Sequence, residues 1–494
     1  MRYIDKALVL VGTASVQRFI FASNRLKENA GASYLAWRAI EQWRENSQGG
    51  EFLYAGGGNA ALVFNSVEAA KKAVQSWSRK LLVEAPGLRP TAAVVRVERT
   101  LQDAFREAQK QLLLNENAPS FGANLGALPV TRACPSTGLS ANKQDTGPPH
   151  EWLSEEAASK RANAEKAVER LERELDSVIE DYALPLEFDH LGVQEGASQI
   201  ALVHADGNGI GKALLEIVKK PSEGQSFKTK LKSFSDELLG IAKNSLQKTV
   251  SSLVDAIPWL DSHGVVQLAK DQESGQTYLP LRPIVHGGDD LTFVCHGRLG
   301  LWLAAEHLRH FEETSGNKYS ACAGVLIMPL KYPFARGYDL AEELCVEAKR
   351  KRKRTGGQGS WLDFHVLFEG STGSLKVTRE REYRAGDGSE LLRRPYKLDE
   401  WTKVEQICQE FQDRERWPRS RAKRLFEVLA RGKAATKAYL DTLTDVRLPD
   451  CGDEAAQQDG WPVDGKAPTP YFDPLEILDF YTVPSGGSEG QGGN

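Results

Sequence analysis

The apolar positions of residues 7–100 follow two patterns, short unbroken runs that predict buried strands and helical spacings that predict amphipathic helices. Ala7–Val11 is one such run, and Asp5 before it and the lack of a following cleavage site favour a strand over a signal peptide. Glycines between two runs predict a hairpin, since glycine reaches the positive φ of tight turns. The predicted elements are the strand Ala7–Gly12, the helices Val16–Arg25 and Ala30–Gln42, the strands Glu51–Tyr54 and Ala60–Phe64 around Gly56-Gly57-Gly58-Asn59, the helix Val67–Leu82 and the strand Thr91–Val97.

The same order of patterns returns in the second half of the chain. A strand–helix–hairpin–helix–strand unit is typical of the ferredoxin-like, or palm, fold, and its repetition predicts an α+β protein with two such domains. The second set consists of the strand Gln199–Ala205, a helix around Lys230–Leu253, the strands Leu281–Val285 and Leu291–Cys295, the helix Leu299–Phe311, the strand Tyr319–Met328, the helix Leu340–Lys353 and the strand Trp361–Phe368.

The remaining segments differ in composition. Ala118–Pro149 is rich in Pro, Gly and Ser and predicts a linker, and the charged Ser154–Tyr182 predicts one helix. Gly370–Arg394 is charged and irregular, Leu398–Leu443 has helical spacing, and Ser485–Asn494 predicts a disordered tail. The predicted divisions are a first palm-like domain at 1–117, a linker and helical region at 118–190, a second palm domain at 191–370, a C-terminal helical domain at 371–484 and the tail at 485–494.

Composition excludes several classes of protein. With 494 residues, 41% of them hydrophobic, and a net charge of −4, the chain is not a nucleic-acid binder that relies on bulk positive charge. Its six cysteines include no CxxC pair, which argues against a disulfide scaffold or a zinc ribbon and favours the reducing cytosol. No apolar run approaches the roughly 20 residues of a membrane span, so we expect a cytoplasmic protein that does not contact the membrane.

Candidate chemistry begins at Gly287-Gly288-Asp289-Asp290, between two predicted strands. Two carboxylates at the tip of a hairpin that glycines make adaptable offer the oxygen ligands that Mg²⁺ prefers. Neighbouring strand residues point to opposite faces, so the two aspartates need not have equal roles. An isolated sequence of this kind is also compatible with a polar turn that binds nothing.

A second acidic motif favours the metal site. Asp206 ends an apolar strand that a ferredoxin-like sheet places beside the central hairpin, so it could approach Asp289 and Asp290. Three such carboxylates could hold two cations, Mg²⁺ or Mn²⁺, on a triphosphate and catalyse phosphoryl transfer. Gly-rich turns let backbone N–H groups approach phosphates, and this predicts nucleotide contacts at Gly207, Asn208, Gly209, Gly211, Gly287 and Gly288.

These motifs resemble a known family. HADGNGIG and VHGGDDLTFVC, followed by YSACAGVLIMP and YPFARGYDLAEELCVEAK, are similar to the second palm domain of the large polymerase/cyclase subunit of type III CRISPR effector complexes, a relative of GGDEF diguanylate cyclases. SVQRFIFASNRLKENAGAS and YAGGGNAALVF resemble its first palm, and RRPYKLDEW and YFDPLEILDFYTV resemble its C-terminal part. The resemblance extends from about Ala7 to about Val483.

The resemblance implies a metal-dependent conversion of ATP into cyclic oligoadenylate or a related cyclic nucleotide, in prokaryotic antiviral defence. It implies metal-ligand and catalytic roles for Asp206, Asp289 and Asp290, of which we favour Asp289 as the main hairpin ligand, and a triphosphate contact for Lys349. It also implies an internal pseudo-dimer of palms, with guide-RNA complex subunits and target RNA as partners and with homo-oligomers as an open alternative. Gly56, Gly57 and Gly58 would then bind a second nucleotide without catalysis, unless the first palm is purely structural.

The chain departs from the family in two ways. It begins at the palm without the usual HD nuclease domain, so we expect no HD-type DNase activity. Of the usual four-cysteine site only Cys134 remains, and one thiolate cannot form a tetrahedral zinc site, so we expect no zinc. His204 and His286 are interpreted as strand residues. In the basic run Lys349–Arg354, the residues after Lys349 are interpreted as surface residues or RNA contacts.

Two other functions remain open. One is a scaffold subunit of an RNA-guided complex with little or no cyclase activity, although a scaffold has no need of clustered acids. The other is a GGDEF-like cyclase that uses GTP, because no base-reading residue is visible in the sequence.

Overall fold

The computed structural model of the protein describes residues 5–56, 58–118, 130–145, 150–192, 199–220, 224–272, 274–368, 373–443, 446–463 and 467–484. The predicted tail at 485–494, much of the predicted linker Ala118–Pro149 and the hairpin residue Gly57 therefore lie outside the described residues.

The first unit has the predicted order of elements around one antiparallel sheet. It consists of β1 (Ala7–Ala14), α1 (Val16–Phe21), α2 (Leu26–Glu45), β2 (Glu51–Gly56), β3 (Asn59–Phe64), α3 (Val67–Glu84), β4 (Arg89–Arg96) and α4 (Leu101–Glu116). The strands lie in the order β2-β3-β1-β4. Every residue of β1 is buried, as expected of an apolar strand at the centre of a sheet.

A smaller helical region follows. It consists of β5 (Lys143–Gln144), β6 (Trp152–Leu153), α5 (Glu155–Ala162), α6 (Ala164–Leu175), two 3-10 helices and β7 (Tyr182–Ala183). The prediction of one helix over Ser154–Tyr182 is wrong, because Asn163 separates α5 from α6 and α6 ends at Leu175, before Asp176 with its positive φ of 51°. Asn and Asp tolerate such breaks, since their short side chains compete for backbone hydrogen bonds.

The second unit repeats the first around a larger sheet. It consists of β8 (Gln199–Gly207), α7 (Ile210–Lys219), α8 (Gly224–Ser262), β9 (Thr277–Tyr278), β10 (Leu281–Gly287), β11 (Asp290–His296), α9 (Gly300–Thr314), β12 (Ala321–Pro329), α10 (Phe334–Arg354) and β13 (Trp361–Val366). Helix α8 is 39 residues long and extends beyond the predicted Lys230–Leu253 at both ends. It packs against the first unit as well as the second.

The C-terminal region contains α11 (Leu375–Glu382), β14 (Tyr396–Lys397), α12 (Leu398–Gln412), α13 (Arg419–Arg431), α14 (Lys433–Leu440), α15 (Glu454–Asp459) and α16 (Phe472–Glu476). Strand β14 completes a second sheet in the order β10-β11-β8-β12-β13-β14. The expectation of irregular structure over Gly370–Arg394 is wrong for α11. That helix is capped by Ser374 and fastened by Arg379, which makes two 2.8 Å hydrogen bonds to Asp363 of β13.

The two palm units share their hydrophobic core. Leu53 and Tyr54 of the first sheet belong to the same buried cluster as Val203 and Phe293 of the second. The α+β class with two ferredoxin-like palms and a C-terminal helical part is therefore confirmed. None of the helices in the described ranges combines the length and the apolarity that crossing a membrane requires.

Candidate metal and nucleotide site

The two adjacent aspartates, Asp289 and Asp290, lie at the tip of the β10–β11 hairpin. Gly287 pairs with Asp290, which leaves Gly288 and Asp289 as the two turn residues. Gly288 has a φ of 82°, a conformation that glycine reaches without steric cost. On the other side of β11, Asp290 lies directly opposite Asp206 of β8 in the antiparallel ladder. The sheet register therefore brings the two acidic motifs together.

The three carboxylates form one cluster. Asp206, Asp289 and Asp290 each offer an oxygen within 4.8 Å of the others, and within the described ranges they are the only such group of His, Cys, Asp or Glu side chains. Burial and the negative charge of Asp206 raise the pKa of Asp289 to about 6. Burial and the charges of Asp289 and Asp206 raise the pKa of Asp290 well above its usual value. Close carboxylates with this donor chemistry fit a divalent cation, which would relieve their repulsion.

Lys349 joins this cluster from α10. Its ammonium forms an ion pair with Asp206. Burial lowers the pKa of Lys349, but the charge of Asp206 and the hydrogen bond to it outweigh that effect, and the pKa is raised. The ammonium of Lys349, beside the carboxylates of Asp289 and Asp290 as well, is well placed to contact an anionic ligand such as a triphosphate.

The glycine-rich turn after β8 divides into two parts. The amide of Gly207 donates to the carbonyl of Asp289 at 3.1 Å, and the amide of Asn208 donates to the carbonyl of Ser320 at 2.7 Å. Both amides therefore have acceptors within the protein, and the nucleotide contacts expected of Gly207 and Asn208 stay a prediction that concerns their other atoms. Gly209 has a φ of 79°, and a Cβ added at Gly209 or Gly211 would meet no atom within 4 Å. Both glycines lie at the start of α7, where helix geometry leaves the first amides without intrahelical acceptors.

Two of the predicted glycine positions have clear structural reasons, close packing at one and backbone conformation at the other. A Cβ at Gly207 would lie 2.8 Å from the Cβ of Asp289 and 3.0 Å from Ile210, so only glycine leaves room for the aspartate. Gly287 is exposed with a φ of 119°, and nothing lies within 4 Å of its added Cβ. Glycine at position 207 therefore makes room for Asp289, and glycine at position 287 allows the positive φ at the hairpin tip.

The first palm has the same backbone without the acids. Gly56 pairs with Asn59 as Gly287 pairs with Asp290, and Asn59 lies opposite Gly12 as Asp290 lies opposite Asp206. Even the irregularity in the ladder recurs, between Phe52 and Tyr54 in one hairpin and between Pro283 and Val285 in the other. Gly57 lies outside the described residues, and Gly58 has a φ of 73°. The first palm thus preserves the hairpin and lacks its carboxylates.

The two hairpins lie close enough to interact electrostatically. Burial and the charge of Asp289 raise the pKa of Tyr54, a residue of β2 in the first palm. Tyr54 also crowds its own hairpin, since a Cβ on Gly56 would lie 2.4 Å from its hydroxyl. Sequence reasoning missed Tyr54, because nothing local distinguishes it from other strand aromatics.

His204 and His286 are strand residues, as expected. His204 of β8 lies 3.0 Å from the hydroxyl of Thr292, and burial lowers its pKa to about 4, so it is neutral at pH 7. His286 of β10 lies 2.7 Å from Glu174 of α6, and burial and the charge of Arg170 lower its pKa. Neither residue lies in the carboxylate cluster, but His286 links α6 to the hairpin.

Part of the basic run has internal partners. Lys351 donates to the carbonyl of Arg393 at 2.6 Å and Arg352 donates to the carbonyl of Gly359 at 3.1 Å, so these two side chains fasten the C-terminal end of α10. Lys353 and Arg354 are exposed, as expected. The surface interpretation therefore holds for part of the run only.

Comparisons with known proteins agree with this geometry. Residues 199–356 match the family model of the Cas10/Cmr2 second palm domain. A Csm1–Csm4 cassette in complex with pppApApA matches with a TM-score of 0.58 and 14% identity, over 97% of this chain and 69% of that chain. The cassette in complex with cA4 matches with a TM-score of 0.55 and 14% identity, over 96% of this chain and 69% of that chain.

A third cassette structure, in complex with one ATP, matches with a TM-score of 0.52 and 16% identity, over 96% of this chain and 70% of that chain. Among curated protein sequences, no significant match is found. The family resemblance seen in the sequence is confirmed by the second-palm match and by the shared fold. Residues 199–356 therefore match the second palm domain of the Cas10/Cmr2 family, and the chain as a whole shares the fold of a chain in the Csm1–Csm4 cassette.

Proposed function

We propose that this protein is a nucleotidyltransferase that converts ATP into cyclic oligoadenylate within a type III CRISPR-like antiviral system. The observation that carries the proposal is the cluster of Asp206, Asp289 and Asp290, with oxygens within 4.8 Å of one another and Lys349 paired to one of them. Support also comes from similar folds solved with ATP and with cA4.

The side chains have distinct parts in this reaction. Asp206, Asp289 and Asp290 would hold Mg²⁺ or Mn²⁺, and a pair of such ions stabilises the attacking and leaving oxygens of phosphoryl transfer. Asp206 and Asp290 face each other on neighbouring strands, whereas Asp289 reaches the cluster from the turn. We propose Asp289 as the main hairpin ligand, because the two glycines before it let the turn adjust to a bound ion.

The nucleotide lies beside this cluster in our proposal. Lys349 leaves Asp206 to contact the triphosphate, and the amides at Gly209 and Gly211 contact phosphate oxygens at the start of α7. The 3′-hydroxyl oxygen of one nucleotide forms a bond to the α-phosphorus of another, the bond from that phosphorus to the pyrophosphate oxygen breaks, and the hydroxyl proton is released. Gly287 and Gly288 leave space for the nucleotide at the hairpin tip.

We further propose that the first palm holds the second nucleotide. Its hairpin, with Gly56 and Gly58, has the same register as the acidic hairpin but lacks carboxylates, which suits binding without catalysis. A purely structural first palm is the alternative, and a Gly58→Trp variant distinguishes the two. We expect it to raise the KM for ATP if the hairpin binds a nucleotide and to leave it unchanged if the palm is structural.

The experiment that tests the function is incubation of the pure protein with each of the four nucleoside triphosphates and Mg²⁺ or Mn²⁺, alone and with a target-bound guide-RNA complex. Products are identified by mass spectrometry. The double variant Asp289→Ala/Asp290→Ala should make none. The control Asp255→Ala/Asp261→Ala removes the same charge from exposed positions of α8 and should retain activity.

The outcomes separate the rival functions. A cyclic product from GTP and none from ATP would favour the GGDEF-like cyclase. No product with any nucleotide, together with co-purification of guide RNA and partner subunits, would favour the scaffold. Unchanged product from Asp289→Ala/Asp290→Ala would refute the assignment of the site.

A further inference from the structure

The acidic hairpin lies at an edge of its sheet. In the order β10-β11-β8-β12-β13-β14, β10 has a neighbour on one side only. The outward carbonyls of an edge strand need other partners. Two of them find side chains here, since Ser33 of α2 donates to the carbonyl of Ile284 and Arg170 of α6 donates to the carbonyl of His286 at 3.3 Å. Helices from the first palm and from the linker region therefore fasten this edge.

An ionic cluster surrounds the second of these contacts. Glu174 lies one helical turn after Arg170 and accepts a 2.8 Å hydrogen bond from its Nε. The other carboxylate oxygen of Glu174 lies 2.7 Å from the Nδ1 of His286. The guanidinium of Arg170 also stacks 4.2 Å from the ring centre of Trp37 on α2. Charged hydrogen bonds of this kind are stronger and more directional than neutral ones.

The position of this cluster along the hairpin is significant. His286 is the last residue before Gly287 and Gly288, whose positive φ values give the turn freedom that other residues lack. Asp289 follows directly, and it is pushed away from Asp206 and Asp290 by their like charges. An anchor at His286 limits how far the turn moves before an ion is bound.

The first palm provides an internal comparison. Ala55 occupies the position that corresponds to His286, and Ser235 of α8 bonds to both its amide, at 3.3 Å, and its carbonyl. At this one position, a neutral hydroxyl fastens the hairpin that lacks carboxylates, whereas an ionic cluster fastens the hairpin that has them. Each hairpin edge is fastened by a helix from outside its own sheet.

We propose that Arg170 and Glu174 are positioning residues that act through His286 to hold Asp289 and Asp290 in the geometry that binds a divalent cation. The proposal rests on the proposed function for the identity of the site, but metal binding tests it without any turnover. Residues that orient metal ligands from outside the coordination shell typically contribute about 10- to 100-fold in metal affinity.

The test measures Mn²⁺ affinity by electron paramagnetic resonance, together with the melting temperature and the kcat and KM for ATP. Arg170→Met and Glu174→Ala should each weaken Mn²⁺ binding by about tenfold or more and lower kcat more than they raise KM. Glu174→Gln, which keeps an acceptor for His286, should recover part of the lost affinity. The matched control is Arg379→Met, which removes another helix arginine that binds a carboxylate, here Asp363 of β13 in the same sheet, and should lower the melting temperature alone.

The results separate this proposal from the function. If Arg170→Met and Glu174→Ala bind Mn²⁺ as tightly as the wild type, the proposal is overturned, even if both variants have lower melting temperatures. The proposal is also overturned if Arg379→Met loses as much Mn²⁺ affinity as they do. If the wild type binds Mn²⁺ and makes no product from any nucleotide, the proposed function fails, and the affinities of the variants still decide whether the cluster positions the aspartates.

Discussion

Replacing Asp289 by Asn should stabilise the metal-free protein at neutral pH. The carboxylate of Asp289 is held among two others, and its pKa rises from the usual 3.8 to about 6. For an acid, a raised pKa in the folded state means that the charged form destabilises the fold. The penalty is absent below about pH 4, grows between about pH 4 and 6, and is constant above that range.

The size of this free-energy penalty follows from the difference between the raised pKa of Asp289 and its usual value. About two pH units correspond to about 3 kcal/mol at 1.36 kcal/mol per unit. The amide of Asn has the same shape and no charge, so Asp289→Asn removes the penalty. For a domain of the size of the second palm, this corresponds to a rise in melting temperature of roughly 6 to 12 °C.

Differential scanning calorimetry in the presence of a chelator measures the effect. At pH 8 the variant should melt above the wild type, and at pH 4.5 the difference between their melting temperatures should be much smaller. Saturating Mn²⁺ should raise the melting temperature of the wild type and leave that of the variant nearly unchanged, because the variant lacks one of the ligands. A variant that melts at or below the wild type at pH 8 in chelator would refute the electrostatic reasoning, and Asp261→Asn controls for the loss of one exposed charge on α8.

Three further variants test single contacts. Lys349→Met should lower kcat/KM for ATP by about 10- to 100-fold, since a charged hydrogen bond contributes about 1.5–3 kcal/mol, and equal kcat/KM values would exclude a triphosphate contact. Gly207→Ala should displace Asp289 and abolish Mn²⁺ binding measured by calorimetric titration, whereas Gly240→Ala, at an open helical position, should bind normally. Gly324→Ala should lower the free energy of unfolding, measured by urea titration, by about 1–3 kcal/mol. The reason is that its Cβ would lie 2.1 Å from a carbonyl oxygen of α10. An unchanged free energy of unfolding would show that α10 moves away.

Local patterns were sufficient for most of the elements. The apolar run at Gln199–Ala205 and the glycine pair before Asp289 predicted β8 and the β10–β11 hairpin, because strand burial and turn conformation depend on neighbouring residues. Helix α11 was not predictable in the same way. It is rich in charge, and it is fastened by a contact with Asp363 of β13, a separate element that no pattern within the helix reveals.

The predicted site shows the same division. Asp206 and the hairpin aspartates were recognisable as candidate ligands from residue type and from the order of the elements. That Asp290 lies directly opposite Asp206 is a matter of strand register, which the antiparallel ladder determines. The hydrogen bonds of the Gly207 and Asn208 amides to the carbonyls of Asp289 and Ser320 also depend on the tertiary structure, and the glycine-rich sequence alone did not predict them.

The sequence by itself determined which chemical groups are present and on which elements they lie. It contains the carboxylates, the glycines that can adopt a positive φ, and the repeated order of strands and helices. Each of these can be read from a short segment of the chain. Only the tertiary structure decided that Lys349 reaches Asp206, that Tyr54 lies near Asp289 and that Arg170 and Glu174 fasten His286. These contacts join residues far apart in the chain, and they exist because the two palms and the linker helix bury their apolar faces against one another.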